Sequence, residues 1–250
     1  MSGALGTFYN NKSVHYSEIT SRFHKVAEIC RKTISNRLEQ KAIVNVLDLG
    51  CGCGIYGSAL KKEFGKRLNM IGVDINKHPP PNAAFYSEIL NLDLDSRESL
   101  FSYCEKGMPQ PDLIICSEVL QCLFNPENVY RFFESVLAPL GIVVITTPNH
   151  DWWLKDHSAS ETLYDDKVPH IKQNFRQFNI HVHSKYLNKN NLSILSVTGA
   201  DSEHCDYTRD VVDRLFIEFG IDKLALHQTI QQVYPVKQRT LVITAHKTLE

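Results

Sequence analysis

Seven consecutive residues, Asp48-Leu49-Gly50-Cys51-Gly52-Cys53-Gly54, place an acid directly before three glycines at alternate positions. Glycine is the residue that lets a chain turn sharply and lets a ligand approach the backbone closely. Amides left free at the start of a following helix can receive a polar or anionic group. The stretch therefore predicts a nucleotide-like cofactor. Two further acids suit the same chemistry. Asp74 lies 20 residues beyond Gly54, about one helix and one return strand away. An acid in that place can accept both hydroxyls of a ribose. Asp93 closes a third apolar segment, where its carboxylate can accept from an adenine amino group.

The elements that must position these groups follow from the apolar runs. Ile43 to Leu49 reads as a buried strand entering the glycine turn, and Ile55 to Phe64 as a helix that Gly65 stops. Met70 to Ile75 reads as a second strand. Pro79-Pro80-Pro81 breaks the chain into a loop, and Phe85 to Leu94 carries the third strand with Asp93 at its tip. Ser96 to Cys104 is a short helix capped by Ser96. Pro111 to Cys116 is a fourth strand followed by Ser117-Glu118, Pro126 to Leu137 a helix, and Gly141 to Thr147 a fifth strand ending at Pro148-Asn149. This alternation predicts an α/β fold with a mostly parallel, Rossmann-like sheet and helices on both faces. Ligands in such sheets bind outside the carboxyl ends of the strands. Asp48, Asp74, Asp93, Ser117, Glu118, Pro148 and Asn149 all fall there, and their convergence is the main functional signal.

Outside this core the chain is less periodic. Lys12 to about Gln40 suits helices packed across the sheet edge, and Tyr9 or Tyr16 is placed to close over the cofactor. Residues 150–191 hold His150, Trp152, Trp153, His157, His170, His181 and His183 without clean periodicity, and their first part reads as an elaborated loop or short helices. Leu192 to Thr198 and Thr240 to His246 read as late strands, with helices over 209–219 and 222–233 between them. No linker demands a second domain. Residues 1–250 are expected to be one domain, with an N-terminal helical segment (1–40), a cofactor core (41–150) and a substrate-region elaboration (151–250).

Composition narrows the class. The apolar fraction of 43% is ordinary for a globular protein, and a net charge of −1 offers no strong hold on nucleic acid or membrane. The longest apolar runs fall short of the roughly 20 residues that span a bilayer. Seven scattered cysteines and no signal-like start suggest reduced thiols and a cytoplasmic location. Cys51 and Cys53 form C-x-C, but a metal needs more ligands at suitable spacing, so no metal site is expected.

The motif Asp48 to Gly54 resembles the DxGxGxG signature of class I S-adenosylmethionine-dependent methyltransferases. Asp74 and Asp93 match that family's second and third motifs. Ser117-Glu118-Val119-Leu120 resembles its segment after strand four, and Leu137-Ala138-Pro139-Leu140-Gly141 its L-x-P-G-G turn, with Leu140 where the family has glycine. The resemblance covers roughly residues 40–150. It implies a seven-stranded sheet whose antiparallel late strands come from 150–250, and S-adenosyl-L-methionine as the cofactor. It also implies residue roles. The backbone of Gly50, Cys51, Gly52 and Gly54 would face the methionine part, with Asp48 near its amino group. Asp74, with Ile75 beside it, would hold the ribose. Asp93 or Leu94 would meet the adenine, and Cys116 and Ser117 would border the transferable methyl.

Gly52-Cys53-Gly54-Ile55-Tyr56-Gly57 also satisfies GxGxxG, which alone would suggest a nicotinamide oxidoreductase. Asp48 argues against that, because an acid there suits an ammonium and repels a pyrophosphate. Candidates for a general base are Glu118, His150, His181 and His183. A small-molecule O or N acceptor is the expectation. Small-RNA 2′-O-methyltransferases offer a narrower comparison through Glu118, Thr147-Pro148-Asn149 and His181 or His183, but Gln121 and Cys122 replace the second acid and its histidine, which a hard divalent cation would need. A methyltransferase-like binding module without turnover is the remaining alternative, which the intact acids and glycines disfavour.

Overall fold

The structure is a computed structural model, and it describes residues 21–77, 79–149, 178–200 and 240–248. Five α-helices and seven strands occur among the described residues. They are α1 (Ser21–Leu38), β1 (Val44–Leu49), α2 (Ile55–Phe64), β2 (Leu68–Asp74), β3 (Glu88–Asn91), α3 (Arg97–Glu105), β4 (Leu113–Ser117), α4 (Pro126–Val136), β5 (Ile142–Pro148), α5 (Ile180–Lys189), β6 (Leu192–Ala200) and β7 (Thr240–Lys247). Short 3-10 turns at Gly65–Arg67, Ala83–Phe85 and Leu120–Cys122 connect them.

One seven-stranded sheet has the order β3-β2-β1-β4-β5-β7-β6. Strands β1 to β5 pair in parallel. Strand β7 runs antiparallel to both β5 and β6, so β6 points the same way as β1 to β5. The expected antiparallel pair is thus a single reversed strand. The chain order reverses between β1 and β4, which opens a crevice at the carboxyl ends of those strands.

Alternating strand residues feed two cores, one on each face of the sheet. Leu47, Leu49, Ile114, Cys116 and Val143 pack with α3, α4 and α5. Val46, Met70, Leu113, Ile115 and Val144 pack with Val26, Cys30 and Ile34 of α1 and with Tyr56 and Leu60 of α2. The helices begin and end where local chemistry dictates. Ser96 Oγ accepts from Ser99 N at 3.2 Å at the head of α3, and Pro126 opens α4 at a position where no amide donor is needed. Helix α4 then buries Val129, Tyr130, Phe132, Phe133 and Val136 on one side.

Helix α5 is the described element that periodicity did not reveal. Asn179 caps it by accepting from Val182 N at 3.0 Å, and it buries His183 and Leu187 one turn apart. The pattern is hidden because one buried member is a histidine. The expected helices at 209–219 and 222–233 lie outside the described residues, as do Tyr9, Tyr16, His150, Trp152 and Trp153. No helix among the described residues is long and apolar enough to cross a membrane.

Candidate active site

The glycine turn lies at the carboxyl end of β1, against the end of β2. Gly50 N and Cys51 N both donate to Val73 O, at 2.7 and 3.0 Å. Gly50, Gly52 and Gly54 have φ of 69°, 51° and 77°, in the left-handed region that side chains disfavour. A Cβ on Gly52 would meet nothing nearer than Gly50 O at 3.9 Å, so the backbone at this Cα borders open space. Asp74 stands opposite. Its Oδ2 accepts from Gly52 N and its Oδ1 from Asn76 N, both at 2.9 Å. Asn76 Oδ1, next to it, is buried without a hydrogen-bond partner. Ile75 O accepts from Asn91 Nδ2 at 2.7 Å, which ties this corner to β3.

Asp48 is 2% exposed. Its Oδ2 accepts from the Tyr86 hydroxyl at 2.7 Å. Burial, with the Asp74 charge adding to it, pushes the Asp48 carboxyl up to about 7, against the lowering effect of the Tyr86 bond. Cys116, at the end of β4, and Cys51 are buried, and burial raises both thiols, so neither acts as a thiolate nucleophile.

A polar chain runs across the ends of α2, β4 and β5. Tyr56 Oη lies 3.0 Å from Ser117 Oγ, Ser117 Oγ 2.9 Å from Thr146 Oγ1, and Thr146 donates to Glu118 Oε1 at 3.1 Å. Since Thr146 spends its proton on the carboxylate, Ser117 must donate to Thr146, and Tyr56 to Ser117. All three hydroxyls then point toward Glu118. Gln121 Nε2 donates to Glu118 Oε2 at 3.1 Å, and the Arg22 guanidinium stands 3.6 Å from Oε1. Glu118 has φ 59°, an uncommon conformation for a side-chain-bearing residue, and Thr146 holds its amide through both O and Oγ1. Phe23 of α1 stacks on Tyr56 at 5.3 Å, so the start of α1 covers this side of the crevice.

The other expected site residues are placed differently. Asp93 lies beyond the end of β3, where its Oδ1 accepts from Asp95 N and its carbonyl from the N–H of Ser96, the residue that caps α3. Leu94 is buried in the core, so its backbone is the part left for a ligand. His183 is fully buried, with Nδ1 2.7 Å from Tyr130 Oη and Nε2 2.8 Å from Thr147 Oγ1. Burial pulls its imidazole down to about 3, so it stays neutral, and both ring nitrogens are engaged. That geometry braces α5 against β5. His181 is exposed on the same helix. Among the described residues no three His, Cys, Asp or Glu side chains cluster as a metal site, and Cys122 Sγ turns back to Glu118 O at 3.9 Å.

Strand order, glycine turn and flanking acids define a Rossmann-like protein of the class I methyltransferase type. A family model described as "Methyltransferase domain" matches residues 40–196, more than half of the chain, and the protein belongs to that family. Among curated relatives, a ubiquinone biosynthesis O-methyltransferase of Pseudomonas aeruginosa is 29% identical over 107 residues, covering 42% of this chain and 45% of that protein. A malonyl-[acyl-carrier protein] O-methyltransferase of Bacillus cereus is 23% identical over 167 residues, covering 64% of this chain and 58% of that protein. The chain thus spans about half the length of the curated relatives it matches. Among solved structures, the plantazolicin methyltransferase BamL, in complex with a triazolic desmethylPZN analog and SAH, has a TM-score of 0.59 at 13% identity, covering 99% of this chain and 91% of that one. At such identity the likeness concerns the fold.

Tyr86, Tyr56, Thr146 and Arg22 were not among the residues the sequence singled out. Tyr86 follows a proline-rich loop, and no motif marks it. Its trace is indirect. Gly54, Gly57 and Gly72, at 77°-φ turn, helix and strand positions respectively, all lack the Cβ that would strike its ring.

Proposed function

We propose that this protein binds S-adenosyl-L-methionine across the glycine turn and transfers its methyl group to a small-molecule O or N acceptor. The observation that carries the reading is Asp74, held by Gly52 N and Asn76 N beside an open glycine backbone. The residues fit the cofactor. A ribose supplies hydroxyl donors to Asp74 and to the orphaned Asn76 Oδ1. Asp48, at the carboxyl end of β1, suits the ammonium of the methionine part. A pyrophosphate in the same turn would meet two carboxylates, which disfavours a nicotinamide dinucleotide.

The cofactor supplies an activated methyl on a sulfonium, ready for in-line displacement. The chain supplies alignment and an exit for the acceptor's proton. Glu118 is the group best disposed for the second task, because the Thr146 hydroxyl and the Gln121 amide fix its carboxylate, with Ser117 and Tyr56 aligned behind Thr146. Gln121 Oε1, buried and without a hydrogen-bond partner, offers an acceptor for a polar substrate hydrogen beside it. The relatives named as O-methyltransferases support an oxygen acceptor. A small acceptor is supported by the small charge excess, which gives little attraction for nucleic acid.

Calorimetric titration tests the first half. S-adenosylhomocysteine is expected to bind and NADH not to bind; the reverse result would overturn the reading. Methyl transfer from labelled cofactor to phenol and carboxylic acid panels, with short RNA as the competing acceptor, tests the second half.

A further inference from the structure

Tyr86 packs against the glycine turn from the side of the β2–β3 connection, touching Asp48 before it, Gly54 at its end and Gly57 beyond it. Its hydroxyl donates to Asp48 Oδ2 at 2.7 Å and accepts from Gly57 N, in the first turn of α2, at 3.2 Å. Its ring lies in a seat made by three missing side chains. A Cβ on Gly57 would stand 2.4 Å from Tyr86 Cε2, one on Gly54 3.0 Å from the same atom, and one on Gly72 3.0 Å from Cδ1. The residue is 8% exposed. Asn82, in the same connection, donates from Nδ2 to Cys53 O at 2.9 Å, so the β2–β3 connection grips the turn at two points.

We infer that Tyr86 is a positioning residue for the methyl donor: its hydroxyl aims the Asp48 carboxylate and favours its ionised form, and through it sets the affinity for the donor's ammonium group. This rests on the cofactor reading above. The physical reason is that Asp48 is buried among groups that mostly cannot stabilise its charge. Asp74 on β2 repels it. Cys30 on α1, Cys51 in the turn, Cys116 on β4 and Tyr56 on α2 face it, each with burial raising its own titration, so they stay neutral. Among the described residues Tyr86 is the side chain that donates to this carboxylate. Without that donor the carboxyl takes up a proton more readily and presents an O–H where an ammonium needs a charge.

Tyr86→Phe removes the hydroxyl and leaves the ring in its seat. Two probes separate its consequences. S-adenosylhomocysteine carries the ammonium; 5′-methylthioadenosine has the same nucleoside and thioether without it. Titrations between about pH 6 and 8.5 bracket the Asp48 transition at about 7. The variant is expected to bind S-adenosylhomocysteine about tenfold more weakly at pH 7, the loss of one hydrogen bond to a charged group. Its affinity should recover at higher pH than the wild type's, and 5′-methylthioadenosine should bind both proteins equally. Unchanged S-adenosylhomocysteine binding across the range would overturn the inference. So would an equal loss of both probes at every pH, since that is the mark of a merely structural residue. A wild-type protein that binds neither probe would overturn the cofactor reading itself.

Discussion

Gly52 donates its backbone N–H to Asp74 Oδ2 at 2.9 Å, joining the tip of β1 to the tip of β2. One carboxylate thus shapes the turn and faces the space that the turn encloses. Asp74→Ala removes the brace together with the proposed ribose acceptor. The expected result is S-adenosylhomocysteine binding weakened roughly 100-fold, two hydrogen bonds to a charged acceptor. Gly52→Arg should abolish binding, because its side chain would project into the open space beside the turn while the backbone stays in a left-handed conformation. Calorimetry on both variants, with circular dichroism to confirm folding, checks this. An unchanged dissociation constant in both would remove the site assignment.

His183 should shape the acid stability of the protein. Its folded-state affinity for protons is lowered from 6.5 to about 3, so between those values the unfolded chain binds the proton and the folded chain does not. Stability then falls as pH drops through that window, by up to about 1.4 kcal/mol per pH unit. Asp48 acts with the opposite sign. Its carboxyl is raised from 3.8 to about 7, so the folded chain binds more protons there, and stability falls as pH rises through that window. The two contributions offset each other where they overlap, between about pH 4 and 6.5. His183→Gln should be less stable at pH 7 by about 1–3 kcal/mol, since the Tyr130 and Thr147 hydroxyls lose a fitted partner. It should also gain stability relative to the wild type as the pH falls toward 4. Urea unfolding at several pH values reads both effects; a constant difference between the two proteins would contradict the burial argument.

The glycine turn and the acids beside it were legible because their spacing is local. Asp48, Gly50, Gly52 and Gly54 are contiguous, and Asp74 follows at a spacing that one helix and one strand dictate. The parallel pairing of β1 to β5 followed from alternation, and the bounds of α2 coincide with Ile55 and Phe64 because glycines flank both ends. The residues that complete the site are set by tertiary packing. Arg22 meets Glu118 across 96 positions (118 − 22), and Tyr86 meets Asp48 across 38. Neither pairing leaves a period in the sequence. Asp93 was expected at a strand tip, yet β3 stops at Asn91 and the acid closes an Asx turn, since its side chain can bond the backbone two residues on. His183 suggested a base from its residue type alone, which says nothing of burial.

Leu140 occupies a position built for glycine. Its φ is 58°, its side chain is 54% exposed, and it stands in the turn that leads into β5. The backbone therefore keeps its shape at a cost of about 1–2 kcal/mol for a side-chain-bearing residue. Leu140→Gly should recover that, less about 0.4–1 kcal/mol for the freer unfolded chain. The expected net gain is about 0.5–1 kcal/mol, a rise in Tm of about 1–4 °C. Its neighbour behaves oppositely. A Cβ on Gly141 would stand 2.8 Å from Ala138 O and from Leu137 Cδ1, so Gly141→Ala should lower Tm. Scanning calorimetry of the two variants decides the matter; a lower Tm for Leu140→Gly would show that the leucine makes a contact worth more than the strain.

Gly50 and Val119 form a steric pair between the cofactor turn and the segment after β4. A Cβ on Gly50 would stand 2.4 Å from Val119 Cγ2 and 3.5 Å from Val119 Cβ. Gly50→Ala therefore meets two penalties, the collision and a φ of 69°. The expected destabilisation is about 2–3 kcal/mol. Val119→Ala deletes the colliding methyls at a cost of about 1 kcal/mol or more in lost packing. In the double variant the collision is gone while the backbone strain remains. Its destabilisation should therefore be smaller than the sum of the singles by about 1 kcal/mol or more. Additive effects in denaturant unfolding would mean that the turn relaxes away from Val119 instead. In that case Gly50→Ala should weaken S-adenosylhomocysteine binding more than it lowers stability, because the displaced turn is the one that Gly52 and Asp74 hold open.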